Sequence, residues 1–367
     1  MNHVLVNLPE KIYPIFISNS FRELKDCLFK YCPDSKIIII TDNHVDHYHF
    51  KELAKIFELS KYKVYKYIFK AGEENKNLST VEGIYKFLLS VKADRNDVIL
   101  AFGGGVVGDV TGFAAATYLR GIKFIQIPTT LLAQVDSSIG GKVGVNLNNT
   151  KNVVGAFYQP LFVYINTNSL KTLPVRQMQS GLAEVLVHCI IGDSWLFNYV
   201  DLHLKEIFEC NENILEYVIS KNCSIKSKVI ERDEKDQDIR AILNFGHTIG
   251  HAIEGVYRYQ MLHGECVAVG MVGAFRLAEY LGIIHNNDLH KLINLLKKIG
   301  LPYYIEELDV QQVYNKMLYD KKSLNNRLTF ILPVSIGEVI RYPMENMDII
   351  KKVLRGLGNI PDFQKVK

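Results

Sequence analysis

An apolar run that ends in a cluster of glycines constrains the fold of this chain more than any other feature. The run Asp97–Gly105, DVILAFGGG, has the pattern of a buried strand, and a helical pattern starts directly after it. Two further runs, Lys36–Asn43 and Lys123–Thr130, have the same character. Helical segments precede the glycine run, one of them with Ser79 as a candidate N-cap and Glu82 three residues later. Strands alternating with helices predict parallel β-α-β units in a sheet covered on both faces.

The pattern changes after about residue 165. Helical periodicity dominates the second half, and strand signals are sparse there apart from a candidate hairpin at Arg327–Tyr342. We predict an α/β fold with two domains: a Rossmann-like parallel-sheet domain over residues 1–165 and a mainly α-helical domain over residues 166–367. Open α/β sheets bind ligands at the carboxyl ends of their strands. The active site is therefore expected in the cleft between the two halves.

Composition and charge exclude several classes of protein. Of the 367 residues, 43 are Lys or Arg and 39 are Asp or Glu, an excess too small and too dispersed for a nucleic-acid or anionic-membrane partner. No apolar run approaches the roughly 18 residues of a membrane span, and the N-terminus lacks the pattern of a signal peptide. Scattered cysteines without a CxxC pair indicate reduced thiols of a cytoplasmic protein: Cys27, Cys32, Cys189, Cys210, Cys223 and Cys266.

The glycine cluster fits two interpretations. Gly103, Gly105 and Gly108 satisfy GxGxxG, and glycines at a strand-to-helix turn let a pyrophosphate approach the helix N-terminus, where N–H groups and the helix dipole favour anions. The alternative is a tight turn that needs glycine only for its backbone conformation. The next strand ends in IPTT without the carboxylate that usually holds the ribose, so Asp42, after the earlier strand, is the candidate for that role. The pattern favours dinucleotide binding, although not by an ordinary Rossmann protein.

A second glycine-bearing loop, SSIGGKVGVN, is not a phosphate-binding P-loop. Asp136 stands where that motif needs glycine, and Val143 stands where it needs Ser or Thr after the lysine. Lys142 and Lys151 lie on polar loops where they could meet a phosphate or a carboxylate. Without such a context each is interpreted as a solvated surface lysine.

Three histidines and one glutamate form the most specific pattern. His247 and His251 stand four residues apart, so a helix would project both from one face, and His263 follows in LHGE. Glu184 lies in the apolar stretch SGLAEVLVHCII, where an unpaired carboxylate would be costly. Two imidazoles and a carboxylate are a familiar divalent metal site with positions left open for substrate. Hydrogen-bonded core histidines are the alternative, and the charged run that ends at Arg240 is expected to be a solvated loop apart from that arginine.

The chain resembles 3-dehydroquinate synthase over essentially its whole length. The matching segments are GGGVVGDVTGFAAATYLRG, FIQIPTTLLAQVDSSIGGKVGVN, KNVVGAFYQP, LKTLP, SGLAEV, LNFGHTIGHAIE, LHGE and DKK. The resemblance implies that Glu184, His247 and His263 bind one divalent metal, zinc or cobalt, and that His251 faces the substrate. It also implies an NAD cofactor and a homodimer in which Arg120 reaches into the neighbouring subunit.

The same resemblance implies the other site residues. The NAD contacts would fall on several loops: Asp42, Glu73, Lys76, Gly105, Val106, Val107, Gly108, Asp109, Thr129, Thr130, Lys142, Lys151, Ser169, Leu170, Lys171 and Thr172. The substrate contacts would come from a second set: Asp136, Lys142, Lys151, Asn152, Lys226, Arg240, Asn244, His251, Arg120 and one of Lys321 and Lys322. The Lys and Arg side chains of this second set suit a substrate with one carboxylate and one phosphate, since Arg offers a bidentate contact to a carboxylate.

The implied reaction converts 3-deoxy-D-arabino-heptulosonate 7-phosphate into 3-dehydroquinate and phosphate, in aromatic amino acid biosynthesis. NAD⁺ would oxidise the C5 hydroxyl while the metal polarises its oxygen, and the new ketone would acidify C6–H and allow phosphate to leave. The same NADH would then reduce the ketone, before ring opening and an intramolecular aldol closure. Because the cofactor is recycled, the expected class is a phosphorus–oxygen lyase.

One position departs from the family's usual AEVIKYG pattern, because this chain has AEVLVHC. Val187 stands where an active-site lysine is expected, and His188 follows it. Loss of a cation beside a bound hydroxyl or carboxylate would cost roughly 2–4 kcal/mol of transition-state stabilisation, about 10²–10³ in rate. We therefore expect weakened activity, with His188 compensating in part.

Three alternative functions stay open at this point. A metal- and NAD-dependent polyol dehydrogenase would accumulate NADH, whereas the synthase would release phosphate without net NADH. A sister sugar phosphate cyclase would make another carbocycle, although Arg240 and Asn244 favour a carboxylated substrate. A degenerate, non-catalytic member of the family would explain Val187.

Overall fold

The structure, a computed structural model, describes residues 2–58, 60–148, 150–257, 260–284, 287–323 and 328–358, without the side chains of residues 320–323. The chain divides into two units: unit 1 comprises Met1–Pro174 and Lys205–Lys235, and unit 2 comprises Val175–Leu204 and Asp236–Lys367. No helix in these described ranges is long and apolar enough to cross a membrane.

Strands and helices alternate in the first half, and helices dominate the second. The strands are β1 (Asn2–Asn7), β2 (Ile12–Ser18), β3 (Ile37–Asp42), β4 (Val64–Phe69), β5 (Val98–Gly103), β6 (Lys123–Pro128), β7 (Lys142–Leu147), β8 (Thr150–Phe157), β9 (Val163–Asn166), β10 (Leu328–Ser335) and β11 (Glu338–Met344). The helices are α1 (Leu24–Tyr31), α2 (Asn43–Ala54), α3 (Leu78–Ser90), α4 (Gly105–Thr117), α5 (Val175–Gly192), α6 (Ser194–Leu202), α7 (Leu204–Phe208), α8 (Glu212–Arg232), α9 (His247–Val256), α10 (His263–Tyr280), α11 (Asp288–Ile299), α12 (Val310–Ser323) and α13 (Met347–Leu357).

A twisted, mostly parallel sheet forms the centre of unit 1. Its order is β1-β2-β9-β6-β5-β3-β4, and β1 is its antiparallel strand. The three strands predicted from the sequence are β3, β5 and β6, which are adjacent in this sheet. Every residue of β3 and β5 is buried, because helices cover both faces of a parallel sheet. The predicted α/β class is therefore confirmed.

Helix α3 begins slightly earlier than the sequence predicts. Asn77 is its N-cap, and the Asn77 side chain accepts a hydrogen bond from the Thr80 N–H at 3.0 Å. Ser79 lies inside the first turn, so the predicted Ser79 cap is wrong. Asn has the same capping chemistry as Ser, which explains the two-residue error.

Helix α8 belongs to unit 1 although it follows most of that unit in sequence. It covers the edge strand β1, where Asn2 and Asn7 donate hydrogen bonds to Glu216 and Glu231 of the helix. The division of the chain thus differs from the predicted one at residue 165. Unit 1 extends to Pro174 and includes residues 205–235.

Unit 2 is mainly helical and is organised around α10. This helix is buried along most of its length and packs against α5, α9, α13 and strand β10. Strands β10 and β11 form an antiparallel pair, which confirms the hairpin predicted near the end of the chain. The tight packing around α10 positions the ends of its neighbouring helices.

Candidate active site

Close helix crossings in unit 2 bring the first residues of α9 and α10 beside the middle of α5. A Cβ on Gly264 of α10 would lie 2.1 Å from the carbonyl oxygen of Ser180 of α5, so only glycine fits there. The Gly264 N–H also donates a hydrogen bond to Ser180 Oγ at 3.0 Å. A Cβ on Gly270 would lie 1.9 Å from the carbonyl oxygen of Gly246, which precedes α9. Both contacts fix the spacing of the three helices.

Glu184, His247 and His263 converge at these crossings. Glu184 Oε1 lies 3.4 Å from His247 Nε2 and 3.3 Å from His263 Nε2. The glutamate is buried, and its Oε1 has no hydrogen-bond partner. His247 Nδ1 lies 3.0 Å from the carbonyl oxygen of Phe245, which can only accept. A hydrogen on Nδ1 can donate to that carbonyl, which leaves Nε2 as the atom that faces Glu184.

A divalent cation fits among these three atoms. Ligand bonds of about 2.0–2.1 Å in a tetrahedral arrangement place neighbouring ligand atoms roughly 3.3–3.4 Å apart. The two separations from Glu184 Oε1, 3.3 and 3.4 Å, agree with that spacing. One carboxylate oxygen and two imidazole nitrogens are also a donor set that zinc and cobalt accept. The buried carboxylate oxygen that faces two imidazole nitrogens at this spacing is thus the observation that a metal ion would explain.

The charges of this cluster change the protonation of its members. Burial alone would raise the pKa of the Glu184 carboxyl, but His247 and His263 outweigh it and hold that pKa well below its usual range. Burial alone would lower the pKa of His263, but Glu184 and Glu254 outweigh it and raise that pKa to about 10. In the metal-free protein His263 therefore carries a proton at neutral pH.

Three residues predicted to contact the substrate lie near this cluster in sequence or space. The His251 ring lies 5.0 Å from the His247 ring and 5.8 Å from the His263 ring, and its side chain is exposed. Arg240 and Asn244 belong to the 3₁₀ turn that leads into α9. Arg240 is buried and Asn244 is exposed.

The two residues of α5 that differ from the family's usual pattern, Val187 and His188, lie on the helix face that carries Glu184. Val187 and His188 follow Glu184 by three and four residues, the spacing of one helical face. Both side chains are fully buried. A side chain at position 187 is therefore directed toward the same side of α5 as the metal-cluster glutamate.

The glycine turn of unit 1 opens α4 at the carboxyl end of β5. Gly104 is the N-cap of α4 and makes no side-chain cap. A Cβ on Gly104 would lie 3.0 Å from Thr130 Cγ2, and a Cβ on Gly105 would lie 3.1 Å from Ser137 Oγ. Glycines without side chains leave the main-chain N–H groups of this helix N-terminus accessible, and no side chain caps them. Such an N-terminus fits a pyrophosphate.

Asp42 lies beside that turn because it ends β3, the sheet neighbour of β5. After β3 the chain forms β4 on one side of that strand and then β5 on its other side. The carboxyl ends of β3 and β5 are therefore a switch point, the place where α/β sheets bind ligands. Asp42 Oδ1 accepts hydrogen bonds from the N–H groups of His44 and Val45 at 2.8 and 2.9 Å. Its carboxylate is thus held by two main-chain donors at the carboxyl end of β3, which precedes the glycine-bearing strand in the chain.

A charged cluster of predicted NAD residues lies in the same unit. Lys76 Nζ lies 2.5 Å from Asp109 Oδ2, and both side chains are largely buried. Burial raises the pKa of Asp109, although Lys76 opposes the shift. Glu73 Oε1 accepts a hydrogen bond from Asn146 at 2.8 Å and lies 3.9 Å from Lys151 Nζ.

Asp136 and Lys226, two predicted substrate contacts, form an ion pair. Lys226 Nζ also donates a hydrogen bond to the main-chain oxygen of Asp136 at 2.7 Å. Asp136 lies in the π-helical turn Ala133–Ser137, a conformation frequent at functional sites. The pair links this turn to α8 within unit 1.

The remaining predicted NAD residues take different positions. Thr129 and Thr130 follow β6, and the Thr129 N–H donates to the carbonyl oxygen of Gly103 in the glycine turn at 3.0 Å. Thr172 Oγ1 lies 2.8 Å from His49 Nε2. Thr129, Ser169 and Leu170 are buried.

Five further predicted residues lie elsewhere in unit 1, and two belong to α12. Lys171 pairs with Glu212 at 3.3 Å, and the side chain of Val107 is buried in the core of unit 1 with Val106 packed against it. Only their main-chain atoms are therefore suited to meet a cofactor. Lys142 and Asn152 are exposed on β7 and β8. The side chains of Lys321 and Lys322 lie outside the described residues.

The sequence reasoning missed two residues that the structure places beside predicted ones. Glu254 Oε2 lies 3.4 Å from His263 Nδ1, and His49 contacts Thr172. Glu254 follows His247 by seven residues, which is two helical turns. That spacing was the signal available in the sequence.

Profiles of known families match most of the chain. The profile described as 3-dehydroquinate synthase N-terminal matches residues 66–180, and the one described as 3-dehydroquinate synthase C-terminal matches residues 181–323. A 3-dehydroquinate synthase of Acetivibrio thermocellus is 53% identical over 354 residues, which are 96% of this chain and 98% of that protein.

Solved structures share the architecture. A 2-deoxy-scyllo-inosose synthase, complexed with carbaglucose-6-phosphate, NAD⁺ and Co²⁺, is 29% identical with a TM-score of 0.85, over 96% of this chain and 99% of that one. A 2-epi-5-epi-valiolone synthase of Streptomyces hygroscopicus, with NAD⁺ and Zn²⁺ bound, has a TM-score of 0.89 at 23% identity, over 96% of this chain and 98% of that one. The second likeness shows the fold.

Proposed function

The chain belongs to the 3-dehydroquinate synthase family, and on that premise we propose that Glu184, His247 and His263 hold the divalent metal of its reaction. The enzyme converts 3-deoxy-D-arabino-heptulosonate 7-phosphate into 3-dehydroquinate and phosphate, with NAD and a divalent metal as cofactors. The alternatives are not favoured, because curated synthases match nearly the full chain at up to 53% identity. The observation that carries the proposal is the convergence of three donor atoms around Glu184 Oε1.

The residues of unit 2 have separate tasks in this proposal. When bound, NAD⁺ supplies a reversible hydride acceptor and the metal supplies a Lewis acid. Three protein ligands leave a coordination position open for the substrate. Arg240 binds the substrate carboxylate by a bidentate contact of its guanidinium, and Asn244 and His251 hydrogen-bond to substrate hydroxyls.

The residues of unit 1 hold the dinucleotide and add positive charge. The main chain at Gly105–Asp109 binds the pyrophosphate, and Asp42 binds the ribose. Lys76, paired with Asp109, keeps the end of this helix turn in place. Lys226, held by Asp136, joins a group of cations that neutralise the phosphate of the substrate: Lys142, Lys151 and Lys226.

An assay of phosphate release tests the function. With the heptulosonate phosphate as substrate, we expect phosphate and no accumulated NADH, loss of activity after chelation with EDTA, and recovery with Zn²⁺ or Co²⁺. NAD⁺ removed from the enzyme must also be restored for activity. NADH accumulation with a polyol, or full activity without a metal, would contradict the proposal.

Metal binding is expected to release a proton. Because Glu184 and Glu254 raise the pKa of His263 to about 10 in the metal-free protein, its Nε2 is protonated at pH 7.5 and must lose that proton to bind a metal. Below pH 10 the apparent zinc affinity should fall about tenfold for each unit by which the pH is lowered. Calorimetry in buffers of different ionisation enthalpy should count about one proton released. A pH-independent affinity between pH 6.5 and 8.5 would contradict this protonation scheme.

We also propose that the enzyme works as a homodimer in which Arg120 acts in the partner's site. Arg120 and Leu119 are exposed and have positive φ angles of 64° and 51°. Such angles are costly for non-glycine residues and concentrate at functional positions. The β7–β8 ribbon of the same unit also exposes the apolar side chains of Leu147, Val153 and Phe157, and exposed apolar surface is a feature of interaction sites.

Complementation between inactive variants tests the dimer. Arg120→Ala and Glu184→Gln should each be inactive, yet their mixed dimer contains one site with an intact metal cluster and an intact partner arginine. Random mixing makes half of the dimers mixed, so about one quarter of wild-type activity should return. No recovery, in samples shown to exchange subunits, would place Arg120 in its own subunit's site.

The thiols support a location for this activity. All six cysteines are free, and five of them are buried. Free thiols are the rule in a reducing compartment. We therefore propose that the enzyme works in the cytoplasm.

A further inference from the structure

Glu254 lies behind His263, on the side of the ring opposite Glu184. Its Oε2 is 3.4 Å from His263 Nδ1, and His263 Nε2 is 3.3 Å from Glu184 Oε1. The imidazole therefore bridges two carboxylates through its two nitrogens. The Glu254 side chain is 11% exposed, so little solvent competes for this contact.

The two histidines of the cluster are oriented by different devices. His247 Nδ1 faces the main-chain carbonyl of Phe245, a partner that no substitution removes. His263 Nδ1 faces the side chain of Glu254. An ionised carboxylate can only accept a hydrogen bond, so it selects the ring form with the hydrogen on Nδ1 and the lone pair on Nε2.

We propose that Glu254 is a positioning residue that fixes the tautomer and orientation of His263 for metal binding. This inference rests on the proposed metal site at Glu184, His247 and His263. Outer carboxylate partners of metal-bound histidines typically contribute 10–100-fold to metal affinity. Loss of the Glu254 acceptor should therefore weaken zinc binding by that factor without removing a ligand.

The neighbourhood of Glu254 also allows a different role, as a ligand. His251, Glu254 and His263 each offer an atom within 4.8 Å of the others. His263 Nε2 faces Glu184, so a metal held by His251, Glu254 and His263 would have to bind His263 Nδ1. Glu254 faces the ring nitrogen that is turned away from Glu184, which agrees with the positioning role, and metal stoichiometry distinguishes the two.

Variants of Glu254 test the proposal on the purified, metal-loaded enzyme. Glu254→Leu removes the acceptor, whereas Glu254→Gln keeps an amide oxygen that accepts the same Nδ1–H. Glu82→Gln, an exposed glutamate of α3 paired with Lys86, is the matched control. Zinc affinity is measured by competition with a chelator, and the Co²⁺ absorption spectrum reports the ligand geometry.

Glu254→Leu should bind zinc about 10–100-fold more weakly and change the Co²⁺ spectrum. Glu254→Gln and Glu82→Gln should stay close to wild type with one metal per chain. If Glu254→Leu is unstable, Glu254→Ala removes the same acceptor and should give the same loss. Wild-type affinity and spectrum in the Leu or Ala variant would overturn the proposal. A wild-type enzyme with two metals per chain and a Glu254→Leu variant with one would also overturn it, because Glu254 would then be a ligand.

A failure of the metal site itself has a different signature. In that case Glu184→Gln would keep wild-type zinc affinity, and the inference about Glu254 would fall together with the site. If Glu184→Gln loses zinc and Glu254→Leu does not, only the positioning role is refuted.

Discussion

Replacing Glu184 with glutamine is expected to abolish stoichiometric zinc binding and to lower kcat/KM about 10³-fold or more. Glutamine keeps the size of the buried side chain but replaces the charged oxygen that faces both imidazoles. The metal supplies several kcal/mol of charge stabilisation to reactions of this kind, and each 1.4 kcal/mol corresponds to about tenfold in rate. Metal content after dialysis and phosphate release measure the two effects.

The control for this variant is a glutamate outside the site. Glu82→Gln makes the same chemical change on the surface of α3 and should leave zinc content and kcat/KM unchanged. Circular dichroism establishes that both variants are folded. An active Glu184→Gln enzyme with one zinc per chain would show that Glu184 is not a ligand.

Replacing Val187 with lysine is expected to raise kcat/KM by about 10²–10³. The chain lacks the lysine that the family's pattern has at this position, one turn along α5 from Glu184. A cation restored there would stabilise charge that develops on the substrate. Val187 is fully buried, so the same variant should also be less stable, because burying an ammonium group is costly.

Val187→Met is the matched control, since methionine is long and flexible but carries no charge. We expect kcat/KM of Val187→Met to stay within a few-fold of wild type. Thermal denaturation should show whether each variant is folded at the assay temperature. A folded Val187→Lys enzyme with unchanged kcat/KM would refute the assignment of the defect to this position, and His188 would then be the residue to examine.

The sequence predicts the central strands of unit 1 better than the outer ones, for a physical reason. Strands β3 and β5 are buried on both faces and therefore read as unbroken apolar runs. The edge strand β4 is only partly buried, so its pattern VYKYIF is ambiguous. Strand β2 contains Pro14, a residue that argues against a strand when the sequence alone is considered.

Long-range packing accounts for the difference in how the chain divides. Periodicity identifies α8 as a helix, but not the surface on which it packs. Its contacts with β1 join residues more than 200 positions apart, as in the Asn2–Glu216 hydrogen bond. No local pattern contains that information.

In the candidate site, too, local patterns identify residues but not the contacts that long-range packing creates. Composition and spacing single out Glu184 in an apolar helix, the helical pair His247 and His251, and His263 nearby. The choice of Glu184, His247 and His263 as the ligands is what the resemblance to the family implies. Glu254 is not identified in this way, because its contact with His263 depends on the glycine-mediated crossing of α9 and α10. The expected cleft between the two halves, and the roles of Lys321 and Lys322, stay predictions.

Anomalous diffraction at the zinc absorption edge tests the central claim most directly. Crystals of the zinc-loaded enzyme should give one strong peak per chain within about 2.0–2.3 Å of Glu184 Oε1, His247 Nε2 and His263 Nε2. Zinc bound at another position, with these three side chains ordered and no peak among them, would contradict the account.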